Sequence, residues 1–302
     1  MENTFIKFEG ESVRIDKYLA KELPLLTRTQ IQSMINAELI LVNDEVIKPN
    51  YLLRKNDEIT IEYAEPEPTE IEAENIPLDI YYEDSDLIVI NKPAGMVVHP
   101  APGNYSGTLV NALLYHCTDL SGINGEIRAG IVHRIDKDTS GLLVSCKNDL
   151  AHKNLSQQFH DKTVTRKYIA VCSGVIPHNV GKITAPIGRD PVNRQQMAVV
   201  EGGKEAVTNF KVIERFKKHT LVELVLETGR THQIRVHMKY IGFPIAGDPI
   251  YGLRSEISEH GQYLHAMTLG FVHPRTNKFI EFSAPLPDYY EKYLKELRER
   301  EE

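Results

Sequence analysis

Between residues 63 and 86 the chain carries nine acidic side chains and no lysine or arginine, with Pro66 and Pro68 near its start. Like charges repel, and proline can continue neither a helix nor a strand ladder. The first part of this stretch therefore reads as an extended linker rather than a packed element. It divides the 302 residues into a small domain at 1–63, an acidic linker at 64–76 and a large domain at 77–302. Net charge is −7 overall, which argues against a nucleic-acid partner until its distribution is read. Residues 1–62 hold eight basic and eleven acidic side chains, so residues 87–302 carry +5. A mildly basic large domain permits a phosphate-bearing partner.

Hydrophobic content of 41% and charged content of 25% are those of an ordinary globular protein. No apolar run approaches the length of a membrane helix. The first seven residues lack the basic and apolar regions of a signal peptide. Cys117, Cys146 and Cys172 are odd in number and far apart, which predicts neither a disulfide framework nor a zinc knuckle. A cytoplasmic, reducing setting and a monomer are expected.

In the small domain, residues 13–20 place Ile15, Tyr18 and Leu19 on one side of a short helix that Pro24 ends. Thr27 followed by Gln30 has the form of a capping box, and Ile31, Met34 and Ile35 continue at helical spacing. Residues 39–47 read as a hairpin turning at Asn43-Asp44, and residues 59–63 as a last strand.

The large domain is read around His133-Arg134-Ile135-Asp136-Lys137-Asp138-Thr139-Ser140-Gly141. Asp136 stands on a turn-prone run that feeds Leu142-Leu143-Val144-Ser145-Cys146, an apolar segment with the look of a buried strand. A rigidly held carboxylate is either an ordinary structural turn or a functional group. Residues 78–84 and 87–90 suggest paired strands, followed by a loop where Lys92 and His99 could face a ligand. Helices are expected from a Thr108 cap and over residues 151–160. Alternation in residues 162–171 puts Val164, Arg166 and Tyr168 on one face of a strand, a cation beside a ring. Consecutive strands follow at 206–214 and 220–227. The second dense motif is Gly229-Arg230-Thr231-His232-Gln233-Ile234-Arg235-Val236-His237, a glycine turn opening a helix with Thr231 as its expected N-cap. Its polar rows fit a helix start facing water. His232 and His237 are five apart, so no zinc pair is expected. A punctuated loop at 244–252, strands at 264–266 and 279–282, and an amphipathic helix from Asp288 complete the chain.

Chemically the chain offers a candidate nucleophile (Asp136), a stacking ring (Tyr168) and a counter-cation (Arg235 or Arg230). An ionised carboxylate in a closed pocket requires such a cation, since burial alone would neutralise it. The set suits covalent chemistry at a sugar or nucleobase carbon, though spacing does not establish that the three converge.

The motifs around Asp136, Tyr168 and Arg235 together resemble the RluA/RluD family of pseudouridine synthases, and nearly the whole chain takes part in the likeness. Arg14-Ile15-Asp16-Lys17-Tyr18-Leu19, Thr27-Arg28-Thr29-Gln30-Ile31 and Leu41-Val42-Asn43 resemble the S4 RNA-binding domain, as in the RluD branch. The resemblance implies an α+β protein in which an S4-like module precedes a mixed, largely antiparallel sheet with flanking helices and a central cleft. It implies that Asp136 is the catalytic aspartate, that Tyr168 stacks on the uracil, and that Arg235 pairs with Asp136. Val236 would pack beneath the base, and Arg134 would help displace the flipped nucleotide. Arg14, Lys17, Arg28 and Gln30 would face RNA. The implied reaction breaks the uracil N1–C1′ bond and forms C5–C1′, with no metal or cofactor. Attack at C1′, attack at C6 and loss of the C2′ proton all remain open. Large-subunit ribosomal RNA is the expected partner, with transfer RNA as an alternative. A non-catalytic RNA-binding factor and a hydrolase using Asp136 are the rival readings.

Overall fold

The computed structural model describes residues 3–23, 26–62, 71–100, 104–117, 120–121 and 130–299. The chain divides into two compact units, residues 1–70 and 71–302. The expected linker ran to residue 76, but its last residues are tied to the second unit. The Glu74 carboxylate accepts from the Gly107 amide, and Asn111 donates to the Glu72 carbonyl. Pro66, Pro68 and the acids Glu65, Glu67 and Glu70 lie outside the described residues.

The N-terminal unit runs β1 (Asn3–Lys7), α1 (Ile15–Glu22), α2 (Arg28–Asn36), β2 (Ile40–Val42), β3 (Glu45–Val46) and β4 (Glu58–Glu62). Its sheet has the order β1-β4-β2-β3 and is antiparallel throughout. Ile15 and Leu19, like Ile31 and Ile35, stand four apart and so share a helix face. That face meets Ile40, Val42, Ile59 and Ile61 in a closed core. Asn43 and Asp44 both adopt positive φ, 54° and 61°, as a two-residue hairpin turn demands. Strand β1 was not anticipated, because it owes its existence to the free edge of β4, a long-range partner that local pattern does not reveal.

In the C-terminal unit, β5 (Ile80–Glu83), β6 (Leu87–Lys92), β7 (Ser140–Cys146), β8 (Thr165–Ser173), β9 (Val180–Thr184), β12 (Val207–Arg215), β13 (His219–Leu226), β14 (Leu264–Val272) and β15 (Phe279–Ser283) build one nine-stranded sheet. Its order is β5-β6-β7-β14-β8-β13-β12-β9, with β15 added on β14, and the β7–β14 pair alone is parallel. Strands β10 (Ile187–Arg189) and β11 (Met197–Val199) form a separate two-stranded ribbon. One sheet face packs Ile88, Ile90, Leu143, Val222 and Leu224 against α3 (Leu109–His116) and α5 (Gln233–Tyr240). The other packs Val89, Leu142 and Val144 on α4 (Asp149–His160), and Ile169, Val171 and Leu221 on α6 (Asp288–Glu299). Strand β7 is buried at every position, which explains its unbroken apolar run. Gly141, its second residue, has φ +115°, and a Cβ there would run into the Ala266 carbonyl oxygen. Only glycine lets β14 cross so close, and this crossing fixes the end of the Asp136 loop.

Candidate active site

Asp136 lies on the loop entering β7, and four contacts hold that loop. Lys92, wholly buried, donates to the carbonyls of Lys137, Pro93 and Met96. All three protons of its ammonium group are thereby used, so Lys92 pins the loop instead of facing a ligand as its sequence context suggested. Gln262 donates to Thr139 Oγ1, and Ser140 Oγ bonds His265 Nδ1. The His133 Nε2 accepts from the Val144 amide and its ring stacks on Phe159. Burial, with Arg166 nearby, lowers His133 to about 3, so the imidazole stays a neutral acceptor.

The loop opens on a cleft of about 750 Å³ lined by Arg134, Asp136, Arg166, Tyr168, Arg230, His232 and Arg235 among others. Arg235 Nη1 donates to Asp136 Oδ2 at 3.0 Å, which selects Arg235 over Arg230 as the counter-cation. Arg230 is turned to the Glu205 carbonyl. Arg235 is itself held by Asp248 through two parallel bonds of 2.7 and 2.8 Å. Such a fork fixes the guanidinium plane. Burial works against the charges of both partners, but their mutual attraction wins, leaving Arg235 raised and Asp248 lowered. Asp248 also accepts the amides of Ile250 and Tyr251. The loop at 244–252, read from sequence as punctuation, therefore supplies the group that aims Arg235.

Tyr168 is 8% exposed, forms part of the cleft wall, and has its phenol raised by burial. Arg166, two residues earlier on the same face of β8, lies over Phe159. A Cβ on Gly229 would come within 2.9 Å of its guanidinium, so that glycine makes room for it. The Arg166 Nε has no hydrogen-bond acceptor among the described residues. Arg134 is exposed at the rim.

Helix α5 departs from its sequence reading in three ways. Its N-cap is His232, not Thr231, with φ 56° in the left-handed region. Its polar rows are not wet: Gln233, Arg235 and His237 are buried and hydrogen-bonded to Thr228, Asp248 and Thr208 respectively. Val236, expected beneath the base, packs with Ile187, Ala206 and Tyr251, against the β10–β11 ribbon. Val236 is not among the residues that line the cleft. Ile234 occupies the cleft wall instead.

In the N-terminal unit, Arg14 and Arg28 both bond the fully buried carboxylate of Asp16, joined by Gln32. Burial opposes ionisation of Asp16, but these bonds hold its pKa well below the usual range. The two guanidiniums remain about half exposed. Lys17 is exposed, and the Gln30 side chain lies outside the described residues.

No helix of the described residues is long and apolar enough to cross a membrane. Residues 86–240 match the family model of RNA pseudouridylate synthase, and residues 13–59 that of the S4 domain. The chain is 58% identical to an uncharacterized RNA pseudouridine synthase of Bacillus subtilis (strain 168), over 96% of each chain. It is 47% identical to the ribosomal large subunit pseudouridine synthase D of Zymomonas mobilis, over 91% of this chain and 90% of the relative. Among solved structures, the human RNA pseudouridylate synthase domain containing 1 superposes with a TM-score of 0.58 at 26% identity, covering 78% of this chain and 97% of that one. With the catalytic-domain motifs gathered in one cleft and an S4 domain ahead of them, the chain belongs to the RNA pseudouridylate synthase family and is an isomerase that makes pseudouridine in RNA.

Proposed function

We propose that the protein converts specific uridines of large-subunit ribosomal RNA to pseudouridine, with Asp136 as nucleophile. The observation that carries the role of Asp136 is its asymmetric tethering. Arg235 holds Oδ2, while Oδ1 accepts no hydrogen bond among the described residues and lies 3.9 Å from His232 Nε2. The guanidinium fixes one oxygen of the carboxylate and leaves the other for attack. Tyr168 supplies a flat wall for a uracil turned out of its stack, and Ile234 lines the same cleft. Arg134 at the rim takes the space the flipped nucleotide leaves, and Arg166 meets a backbone phosphate. In the S4 domain Arg14, Lys17, Arg28 and Gln30 contact RNA, the first and third as a preset pair over Asp16.

The choice of ribosomal RNA rests on the relatives of about 42–47% identity whose names specify the ribosomal large subunit. The deciding measurement is tritium release from RNA labelled at uridine C5, with large-subunit ribosomal RNA and bulk transfer RNA assayed apart. Release from ribosomal RNA alone, lost in Asp136→Asn while RNA binding persists, is expected. Release from transfer RNA alone would overturn the substrate, and an active Asp136→Asn would overturn the nucleophile.

A further inference from the structure

Beside Asp136 stands a second polar group whose geometry is set as closely as that of Arg235. The Met197 amide donates to the Tyr251 hydroxyl oxygen at 2.9 Å, and that hydroxyl lies 2.8 Å from His232 Nδ1. The phenolic oxygen accepts from Met197, and among the described residues Nδ1 is the one acceptor in reach of the phenol proton, so the phenol donates to Nδ1. That leaves the imidazole hydrogen on Nε2, the nitrogen that faces Asp136 Oδ1. Burial lowers the pKa of His232, with Arg235 and Arg134 acting in the same sense and Asp136 and Asp248 against it, which agrees with a neutral ring of fixed tautomer. Tyr251 in turn is held through its backbone amide by Asp248 and lies under the Arg235 guanidinium, 4.9 Å from ring centre. Asp248 thus organises both partners of the nucleophile.

The placement carries a backbone cost. His232 adopts φ 56°, a region L-residues avoid, at the first turn of α5. Strain of this kind persists where surrounding contacts impose it, and it gathers at functional sites. At 3.9 Å, Nε2 is too far from Oδ1 for a good hydrogen bond. The Nε2 hydrogen is therefore not committed to Oδ1 and can be given to an oxygen that enters the cleft beside it.

We propose that His232 donates its Nε2 hydrogen to the uracil O2 as the base departs from C1′, with Tyr251 fixing the tautomer that makes this donor available. The proposal rests on the reaction assigned above. Breaking N1–C1′ sends the bond's electron pair into the pyrimidine, where it is shared by N1, O2 and O4, while Asp136 Oδ1 answers the electron demand at C1′. Of the two carbonyl oxygens, O2 adjoins N1 and lies nearer C1′, so it comes within reach of a donor beside Oδ1. When C5 then bonds C1′, the Oδ1–C1′ bond breaks and its electron pair returns to Asp136; the C5 proton is released, N1 takes one from solvent, and His232, a hydrogen-bond donor throughout, gains and loses nothing. A preset donor aimed at developing charge acts as an oxyanion hole does.

The test compares His232→Ala with His232→Gln by single-turnover tritium release from C5-labelled RNA, with Asp136→Asn as control. Both substitutions place an L side chain in the same left-handed position, so backbone strain cancels between them, whereas Gln Nε2 can take the place of the imidazole donor. His232→Ala is expected to slow the chemical step about 10²-fold with KM for RNA little changed, the cost of one oxyanion donor. His232→Gln is expected to recover a large part of that loss. Tyr251→Phe should fall between the wild type and His232→Ala. Replacing the target uridine by 5-fluorouridine, whose departing anion is more stable, should shrink the His232→Ala defect, read by nuclease digestion and chromatography of the nucleosides. Equal losses in the Ala and Gln variants, or a defect independent of the fluorine, would overturn the proposal. So would an unimpaired His232→Ala beside a dead Asp136→Asn. An active Asp136→Asn would instead overturn the reading of the reaction itself.

Discussion

At the scale of single residues, the cleft depends on Asp248 as much as on any side chain that faces it. The carboxylate is 1% exposed and holds Arg235 by a fork, so Arg235 has its orientation before it meets Asp136. Asp248→Asn keeps the shape but removes the charge opposite a buried guanidinium. Arg235 keeps Asp136 as a counter-charge, so losing the fork costs about 1–3 kcal/mol. Urea unfolding of this variant is expected to show a loss of that order, and turnover should fall at least about tenfold as Arg235 loses its aim. Unchanged turnover would mean that Asp136 alone positions Arg235. Asp136, Tyr168 and Arg235 were legible in the sequence because each sits in a dense local motif. Asp248 was not, since an aspartate between glycine and proline is the ordinary chemistry of a turn, and nothing in spacing ties it to an arginine thirteen positions earlier. His232 and Tyr251 were hidden for the same reason: their pairing exists only once α5 and the 244–252 loop are folded together.

At the scale of elements, α5 shows how a correct motif can carry a wrong face. Its periodicity was visible, but its polar rows are buried because Thr228, Thr208 and Asp248 satisfy them, and no pattern on the helix alone encodes those partners. The two apolar neighbours of Arg235 accordingly have separate duties. Val236→Ala should cost about 1–2 kcal/mol by loosening the contact with the β10–β11 ribbon, with the chemical step within about threefold of wild type. Ile234→Ala should slow the reaction more than it weakens the fold relative to Val236→Ala. Paired single-turnover and unfolding measurements check both, and the reverse pattern would return Val236 to the cleft. The Asp136 loop has its own signature in pH. His133 accepts an amide, and His265 bridges Ser140 and the Ala284 carbonyl. Burial lowers His133 to about 3 and His265 to about 4. Both folded values lie below the free value near 6.5, so on acidification the unfolded chain takes up protons first. Their stabilising effect is complete above about pH 6.5 and is lost as pH falls toward 4, at about 1.4 kcal/mol per pH unit for each histidine. Unfolding curves at pH 7, 6 and 5 should show this slope, and His133→Gln, which offers an amide oxygen to Val144, should flatten it. Asp16 and Asp86, whose pKa values are lowered, contribute only below about pH 4, whereas His152, His232 and His237, also lowered by burial, add to the slope in the same sense.

At the scale of the whole molecule, the order of the parts was readable from the charge break and from two clusters of motifs, whereas the sheet order was not. Parallel pairing of β7 with β14 joins residues more than a hundred positions apart, and the only trace of it in the chain is Gly141. The S4 domain raises a different question, because it is net acidic and yet resembles an RNA-binding module. Asp16 resolves the conflict locally. Buried beneath Arg14 and Arg28, it spends one negative charge to hold two exposed guanidiniums together, leaving a site of net positive charge on an acidic domain. Arg28→Ala should therefore raise KM for RNA and reduce its salt dependence by about one counterion, while kcat at saturating RNA holds. The same substitution weakens the pairing of a buried carboxylate and should destabilise the N-terminal unit. The double variant Asp16→Asn with Arg28→Ala removes that second effect, since a neutral amide needs no counter-charge. If the double variant regains stability but keeps the raised KM, Arg28 meets RNA directly. If it regains both, Arg28 serves only to neutralise Asp16, and the RNA contacts of this domain lie elsewhere.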